Sequence, residues 1–339
     1  MPLNMYIAVQ GDDKLLQFAL DPESGALDQR NVLAVQGAPG PLAVDPSSRF
    51  LYAARRSDKA ISSFAIDPRD GSLSQIGTVE LESDPPYLFA DRTGRFLLSS
   101  YYAAGKVAVH PIGADGAVHG PPVEWRDTAT GAHSVQTDPS NKFAFLPHIA
   151  DRGPNEIWQF HFDASTGCLT PNTPAKAQPP AGAGPRHFCF HPSKSIVYFV
   201  NEQGCSVTAY TLDAVTGMLA NLQTVSTLPE GFDGKNSCAD IHITPDGRFV
   251  YASNRGHNSI ARFAVDGATG ALTGLGQTPT EAVPRAFHLD PAGRFLFAAG
   301  QESGRLAAYR VDGATGTLEP LQTYEIGTRP MWVLITGDA

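Results

Sequence analysis

The sequence is poor in charge and has no excess of positive charge. Asp, Glu, Lys and Arg make up only 17% of the 339 residues, and the formal net charge is −9. Proteins that bind nucleic acid or an anionic membrane surface use clustered positive charge to do so. We therefore expect neither nucleic acid nor a membrane among the partners of this chain.

Long apolar runs and closely spaced cysteines are also missing. No apolar run reaches about 18 residues, the length that indicates a membrane-spanning helix, and residues 1–5 lack the basic and apolar regions of an export signal. The cysteines at 168, 189, 205 and 238 form no close sequence pair, so neither a disulfide framework nor a cysteine metal site is indicated. We predict a cytoplasmic protein with reduced thiols.

Turn residues, by contrast, are abundant, and they occur in a repeat. The sequence contains 33 Gly and 27 Pro. An anchor resembling Asp-Pro-x-x-Arg-Phe, followed by a short apolar strand, recurs 46 to 53 residues apart, at residues 45–50, 91–96, 138–143, 191–196, 244–249 and 290–295. A period of this length with short strands is typical of a β-propeller.

A second marker counts the repeats. A turn containing Gly occurs seven times, at residues 23–27, 69–73, 114–118, 165–169, 215–219, 268–272 and 314–318. The missing seventh anchor is explained if the strands at 330–336 and 4–9 share one blade, which also removes exposed sheet edges. The sequence therefore predicts an all-β, seven-bladed β-propeller that forms a single domain over residues 1–339. The Pro-, Ala- and Gly-rich stretch 171–184 is predicted as its longest loop.

Unusual polar residues fall in two columns of the repeat. The strand before each anchor should line the channel, and the strand after it is the antiparallel neighbour, so the start of one lies beside the end of the other. The first column lies about five residues before the anchor and contains His133, Arg186, His187, Asp240 and Arg285. The second column lies about eleven residues after the anchor and contains Arg56, Tyr102, His148, Glu202, Arg255 and Gln301. His242 and Trp332 are predicted to lie on channel-lining strands nearby.

These columns should meet at one mouth of the channel, which is a common location for a small-molecule site. Several arginines placed together repel one another unless an anion neutralises them. We therefore predict an anion-binding pocket. The alternative is purely structural, with the arginines paired to Glu202, Asp240 and carbonyl groups so that they tie the blades together.

The motifs of metal, serine-hydrolase and nucleotide sites are absent. There is no His-Glu-x-x-His, no Gly-x-Ser-x-Gly and no Gly-rich loop that opens a helix. We therefore expect no metal and no cofactor. His133 and Glu202 remain as general acid and base, with arginines as electrophiles, a set that suits opening of a lactone by water or the reverse closure of an unsaturated diacid.

Several segments resemble the bacterial propeller-type 6-phosphogluconolactonase family, which is related to the fungal carboxy-cis,cis-muconate lactonizing enzymes. They are residues 182–187, 200–202, 239–247, 284–287, 298–301 and 330–333. The resemblance implies a seven-bladed propeller and a metal-free lactonase acting on a small anionic lactone. It also implies that His133, Arg186, Glu202 and Arg255 are the catalytic residues. From the two columns and the channel-lining strands, we expect the substrate to be bound by Arg56, Tyr102, His148, His187, Asp240, His242, Arg285, Gln301 and Trp332.

Two departures from the family pattern leave the substrate open. Residues 102–106 read Tyr-Ala-Ala-Gly-Lys, without the amides of the family motif, and the loop 147–155 is long and carries His148. These changes could suit a lactone with a second carboxylate, an aldaric or uronic acid lactone. A muconate-type cycloisomerase and a non-catalytic interaction platform remain as alternatives, since fold alone does not determine function. The sequence is compatible with a monomer or a homodimer.

Overall fold

A computed structural model describes residues 3–337 of the chain and shows an all-β ring. Within these residues there are seven four-stranded antiparallel sheets, and the one helical segment is a 3₁₀ turn, Gln10–Asp12. No helix in this part of the chain is long and apolar enough to cross a membrane. The prediction of a seven-bladed all-β propeller is confirmed.

Each sheet is one blade, numbered here along the chain. The strands of the first four blades, from the inner to the outer edge, are: blade 1, β28 (Pro330–Thr336), β1 (Asn4–Val9), β2 (Lys14–Leu20) and β3 (Leu27–Ala34); blade 2, β4 (Pro39–Val44), β5 (Phe50–Arg55), β6 (Ala60–Ile66) and β7 (Leu73–Glu80); blade 3, β8 (Tyr87–Ala90), β9 (Phe96–Tyr101), β10 (Lys106–Pro111) and β11 (Glu124–Asp127); blade 4, β12 (Gln136–Thr137), β13 (Phe143–His148), β14 (Glu156–Phe162) and β15 (Leu169–Ala177).

The remaining three blades follow the same order. Their strands are: blade 5, β16 (Pro185–Phe190), β17 (Ile196–Asn201), β18 (Ser206–Leu212) and β19 (Leu219–Ser226); blade 6, β20 (Ser237–Ile243), β21 (Phe249–Arg255), β22 (Ser259–Val265) and β23 (Leu272–Pro279); blade 7, β24 (Pro284–Leu289), β25 (Phe295–Gly300), β26 (Arg305–Val311) and β27 (Leu318–Glu325). Because β28 pairs with β1, the two chain ends close the ring, as predicted. The prediction of a loop over 171–184 was wrong for residues 171–177, which belong to β15.

The repeated Asp of the anchor forms the turn between the first and second strands of a blade. Oδ1 of Asp91 accepts hydrogen bonds from the backbone N–H groups of Arg95 and Phe96, each at 2.8 Å. Asp138 holds the equivalent turn of blade 4 in the same way. The carboxylate therefore satisfies backbone donors that a tight turn would otherwise leave unpaired, which explains why short polar residues begin this turn.

The repeated Gly turns connect each blade to its neighbour. The hydroxyl of Tyr251 in blade 6 donates to the carbonyl of Gly316 in blade 7 at 3.0 Å, and the anchor residue Phe249 lies against the same glycine. A Cβ at Gly316 would lie 2.4 Å from the Phe249 ring, and the φ of this glycine is +69°. Both markers found in the sequence are therefore parts of one contact between consecutive blades, and this contact requires glycine.

The core lies between the blades. Seven buried apolar clusters occupy the described residues, one at each interface of adjacent blades. The cluster between blades 7 and 1, for example, joins Phe295 and Phe297 to Ile7 and Val333. Because every interface is filled by side chains from both neighbours, the inner strands are held at fixed positions around the channel.

The inner strands share an irregularity near one mouth of the channel. The pairing register of the inner strand shifts in five blades, at Met331, at Gly40 and Pro41, at Arg186, at Ala239 and Asp240, and at Arg285. Such β-bulges bend a strand and redirect a side chain. In this ring they fall on the first column of unusual polar residues.

Candidate active site

The bulges and the ends of the second strands bring most of the two columns together at one mouth of the channel. Arg186 and Arg285 occupy bulges in β16 and β24, while Glu202 follows β17 and Arg255 ends β21. A bulge lets neighbouring residues of one strand, such as Arg186 and His187, both reach the same site. The predicted convergence of the columns therefore has a structural basis at these positions.

Glu202 lies between two arginines. Its Oε2 is 3.0 Å from Nε of Arg186, and its Oε1 accepts a hydrogen bond from Nη2 of Arg255 at 2.8 Å. The Arg186–Glu202 contact is an ion pair that lacks the alignment of a hydrogen bond, so both atoms retain unused hydrogen-bonding capacity. Arg186 is almost completely buried, with 2% of its side chain exposed, whereas 17% of Glu202 remains open to the mouth.

Burial and charge act on both partners of this ion pair. Burial would raise the pKa of Glu202, but Arg186 and Arg255 outweigh it and hold that pKa below its usual value. Burial, together with the nearby Arg255, lowers the pKa of Arg186 to about 10. At neutral pH the group is therefore a carboxylate held between two guanidinium cations.

A chain of polar side chains lies behind Arg186. Nη1 of Arg186 lies 3.1 Å from Nε2 of His187, and Nδ1 of His187 lies 2.9 Å from Oδ1 of Asp240. Nε2 of His242 lies 3.5 Å from the other oxygen of Asp240. With a carboxylate at Nδ1, the ring donates there and leaves Nε2 free to accept from Arg186. His187 and Asp240 thus fix the orientation of Arg186.

The protonation states agree with this arrangement. Burial, and then the charge of Arg186, lowers the pKa of His187 to about 4, so the ring is neutral at pH 7. Burial would raise the pKa of Asp240, but His242 and the hydrogen bond to His187 hold it well below its usual value. A neutral imidazole therefore connects a guanidinium to a carboxylate.

His133 is a buried histidine next to His187 and Tyr102 with one ring nitrogen unused. Its Nδ1 has no hydrogen-bond partner among the described residues. Its ring lies 5.2 Å from that of His187 and 6.0 Å from that of Tyr102, measured between centroids. Burial, reinforced by Arg186, lowers the pKa of His133 well below the usual value. The ring is therefore neutral and can accept a proton.

An aromatic layer separates the mouth from the rest of the channel. The rings of Tyr87, His187 and Trp332 meet pairwise with centroids 5.0 to 5.8 Å apart. Below this layer a cavity of about 410 Å³ contains His242 and His288. Above it, a small recess of about 10 Å³ at the mouth is lined by Arg56, Pro41, Pro86, Arg186, His187, Arg285, Met331 and Trp332.

Two further arginines line the recess, and they differ in their partners. Arg56 is ion-paired with Asp84. Arg285 has no ion-pair or hydrogen-bond partner within residues 3–337. Burial, and then the charges of Arg186 and Arg255, holds its pKa well below the usual value. The purely structural explanation therefore covers three of the four arginines. Arg285 feels the charge of the nearby Glu202 but has no anion in direct contact with it within residues 3–337.

Two predicted site residues lie outside this group. His148 is fully buried, with Nε2 3.2 Å from Oγ1 of Thr128 and its ring against Trp158. Residues two apart in a strand point to the same side, and Leu146, two residues before His148, packs against blade 3. His148 therefore faces blade 3 rather than the channel mouth. Gln301 lines a separate surface depression. We leave both out of the site proposed below.

Three contributors were not identified from the sequence. Asp84 pairs with Arg56, and Tyr87 lies between His187 and Trp332. Ser134 donates to the carbonyl of Arg186 at 2.6 Å. Tyr87 and Ser134 occupy the repeat position of His187 and Asp240, so the column itself was the signal that could have identified them. Asp84 precedes the column and has no such signal.

Between residues 3 and 337, no group of three or more His, Cys, Asp or Glu side chains is arranged to hold a metal ion. The chemistry available at the mouth is thus a neutral imidazole, a carboxylate and several guanidinium groups.

Comparison with known proteins agrees with the fold. The family model described as "Lactonase, 7-bladed beta-propeller" matches residues 5–335. The chain is 40% identical over 332 residues to the 6-phosphogluconolactonase of Pectobacterium carotovorum, covering 98% of this chain and 84% of that protein. It is 35% identical over 331 residues to that of Erwinia tasmaniensis, covering 98% of both.

Among solved structures, the periplasmic gluconolactonase of Pseudomonas aeruginosa superposes with a TM-score of 0.91 at 27% identity, covering 99% of both chains. The match of the family model over nearly the whole ring, together with relatives at 35–40% identity, goes well beyond a shared fold. The chain belongs to the seven-bladed β-propeller lactonases, a family of lactone-hydrolysing enzymes.

Proposed function

We propose that the protein hydrolyses the lactone of a phosphorylated sugar acid, of the 6-phosphogluconolactone type, to the open-chain acid. The observation that carries this proposal is Arg285, a partly buried arginine near Glu202 that has no direct ion-pair or hydrogen-bond partner within residues 3–337. A cation at the mouth without a contacting anion is stabilised when an anionic group of the substrate binds to it. Arg56, in the same recess, would add a second positive charge.

In the proposed reaction, water adds to the lactone carbonyl and the ring C–O bond breaks, which yields a carboxylate, a hydroxyl group and one released proton. The neutral ring of His133, with Nδ1 unpaired, would accept the proton of the attacking water. Arg255 or Arg186 would stabilise the oxyanion that forms on the carbonyl oxygen. No metal enters this scheme.

Glu202 fits a positioning role in this scheme better than the role of base. Its carboxylate is held by Arg186 and Arg255, whereas Nδ1 of His133 has no partner within residues 3–337. A carboxylate held by two cations is not free to turn towards an attacking water, but it keeps the two guanidinium groups at a fixed separation. We assign Glu202 to the orientation of these arginines.

The two sequence departures do not supply a site for a second carboxylate. Lys106 is paired with Asp127 and lies over the ring of Trp125, 5.4 Å from its centroid. His148 is enclosed between blades 3 and 4. Neither group extends into the recess, so the arrangement favours one strongly anionic substituent over an aldaric or uronic acid lactone.

The names of the relatives support the same substrate class without deciding it. Those of Pectobacterium and Erwinia are named for the phosphorylated lactone, and that of Pseudomonas aeruginosa for the unphosphorylated one. A cytoplasmic location, the absence of nucleic acid and membrane partners, and a monomeric or dimeric state remain predictions.

The proposal is tested by proton release in weak buffer, measured with a pH indicator and corrected for spontaneous ring opening. The panel contains 6-phosphogluconolactone, gluconolactone, and aldaric and uronic acid lactones, each repeated with EDTA. We expect the highest kcat/KM for the phosphorylated lactone and no effect of EDTA. Preference for a dicarboxylic lactone would contradict the substrate assignment, and turnover of none of them would contradict the activity.

A further inference from the structure

Two of the four cysteines lie close to Glu202 and the two arginines that hold it, Arg186 and Arg255. Cys205 is in the turn between β17 and β18, and Cys238 is in the inner strand β20 of the next blade. Cys238 belongs to the apolar cluster between blades 5 and 6, and Cys205 packs against that cluster. Cysteines 33 residues apart in the sequence thus lie near each other across a blade boundary.

The same small polar group holds both sulfurs. Nδ2 of Asn236 lies 3.3 Å from Sγ of Cys205 and 3.1 Å from Oδ1 of Asn254. That same oxygen lies 3.3 Å from Sγ of Cys238, and Oγ1 of Thr227 lies 3.2 Å from this sulfur. The two thiols therefore converge on one site rather than facing apart.

The backbone at Cys205 is unusual. Its φ is +45°, in the left-handed region. The corresponding turn positions of the other blades are Asp13, Lys59, Gly105, Asn155, Asn258 and Gly304. Gly, Asn and Asp tolerate this conformation best, and a cysteine here stores strain that the fold must offset. The sulfur of this partly exposed residue lies against Asn236, on the same side as the buried thiol of Cys238.

The two thiols differ in reactivity. The nearby Cys238 thiol, and then the hydrogen bond from Asn236, lowers the pKa of Cys205 below its usual value. Burial raises the pKa of Cys238 well above it. A half-exposed thiolate next to a protonated thiol is the arrangement of an attacking and a resolving cysteine.

The pair is joined directly to the candidate active site. The backbone N–H of Cys238 donates to the carbonyl of Glu202 at 3.0 Å, and Nη2 of Arg255 donates to the carbonyl of Cys238 at 2.8 Å. Cys205 is three residues after Glu202 in the same turn. A covalent bond between the sulfurs would pull on both backbone segments that hold the Glu202–Arg255 contact.

We propose that Cys205 and Cys238 are a peroxide-sensitive modification site whose disulfide lowers activity by displacing Glu202 and Arg255. The Cys205 thiolate attacks hydrogen peroxide, the O–O bond breaks, and, with one proton taken up, sulfenic acid and water form. The Cys238 thiol then displaces water from the sulfenic acid, and the S–S bond forms. In total two thiols are oxidised, and one peroxide is reduced to two waters.

The first part of the test is independent of turnover. The protein is titrated with hydrogen peroxide, its remaining thiols are blocked, and its peptides are mapped by mass spectrometry without reduction. We expect a disulfide-linked peptide containing Cys205 and Cys238, reversed by dithiothreitol. Oxidation of Cys168, the exposed cysteine, before any Cys205–Cys238 linkage would overturn the assignment.

The second part measures lactone hydrolysis and rests on the function proposed above. We expect peroxide to reduce kcat at least about tenfold, reversibly, in the wild type and in Cys168→Ser. In Cys205→Ser and Cys238→Ala the reversible loss should be absent, and either variant suffices if the other does not fold. A disulfide that forms without any change in kcat would overturn the regulatory effect while leaving the modification site intact.

Discussion

Arg255 of blade 6 reaches back to Glu202 of blade 5, with its Nη2 2.8 Å from Oε1 of the glutamate. Arg186, from the inner strand of blade 5, approaches the other oxygen of the same carboxylate at 3.0 Å. One carboxylate therefore sets the separation of two arginines that come from different blades. This relationship connects the integrity of the ring to the geometry of the site.

The Glu202→Gln variant keeps the size of the side chain and removes its charge. Without the carboxylate, two partly buried guanidinium groups repel each other and lose their fixed spacing. We expect kcat to fall by roughly 10²–10³-fold, the range for loss of a preorganised charge-stabilising group. Steady-state proton release on the phosphorylated lactone measures this.

The control for Glu202→Gln is Glu325→Gln. Glu325 pairs with Arg305 on the exposed outer strand of blade 7, with 80% of its side chain exposed. This variant should retain wild-type kcat. Full activity of a folded Glu202→Gln protein would show that the carboxylate does not organise the site.

His133 and His187 have different expected roles, and their variants separate them. As the proposed base, His133→Asn should lower kcat by roughly 10²–10⁴-fold with little change in KM. As a positioning residue for Arg186, His187→Gln should have a smaller effect. Equal losses in the two variants would argue against His133 as the base.

The pH dependence of kcat/KM follows from the burial of the catalytic groups. The pKa of His133 lies well below the usual histidine value of about 6.5, so its neutral form persists to lower pH. We therefore expect the acid limb of the wild-type profile below pH 6.5, after correction for spontaneous opening. A limb centred at or above 6.5 would mean that this histidine is not the titrating group.

Buried histidines should also make the fold sensitive to acid. Burial lowers the pKa of His110 to about 4, while in the unfolded chain it is near 6.5. As the pH falls below 6.5, the unfolded state takes up the proton first, so stability is present above pH 6.5 and is lost towards pH 4. We expect a loss on the order of 2–3 kcal/mol from this residue alone.

Denaturant unfolding at pH 7 and pH 5 tests this effect of acid. His110 lies in β10, away from the site, and its Nδ1 is unpaired. His110→Leu should flatten the pH dependence of the unfolding free energy and leave kcat unchanged. An unchanged slope in the variant would exclude this histidine as a source of acid sensitivity.

The glycine turns that contact the neighbouring blade should be sensitive to substitution, and the free energy of unfolding measures this. Gly316→Ala places a Cβ 2.4 Å from the ring of Phe249 at a φ of +69°, so either the turn or the ring must shift. We expect a loss of roughly 1–3 kcal/mol in unfolding free energy. Gly267→Ala, where no atom lies within 4 Å of the added Cβ, should change stability by less than about 0.5 kcal/mol.

The sequence predicted the ring, its closure and the convergence of most of the candidate site residues because each depends on the repeat. The Asp anchor and the Gly turn are local features, and their spacing revealed seven blades. The direction of a side chain at a strand end, by contrast, is not determined by the local sequence. His148 faces blade 3 because of strand alternation in β13, and Arg186 turns into the mouth because of a bulge. The pairing of Arg56 with Asp84, and the absence of a partner for Arg285, depend on where four separate segments meet.

The most direct test of the account is the ratio of kcat/KM for 6-phosphogluconolactone to that for gluconolactone, in the wild type and in Arg285→Gln. Loss of a charge-assisted hydrogen bond of about 1.5–3 kcal/mol corresponds to a fall of roughly 10–100-fold. We expect this fall for the phosphorylated lactone only, through a higher KM. The exposed Arg294→Gln variant, whose arginine pairs with Glu23, should retain the wild-type ratio. An Arg285→Gln enzyme with the wild-type ratio would contradict the assignment of this arginine as the anion anchor.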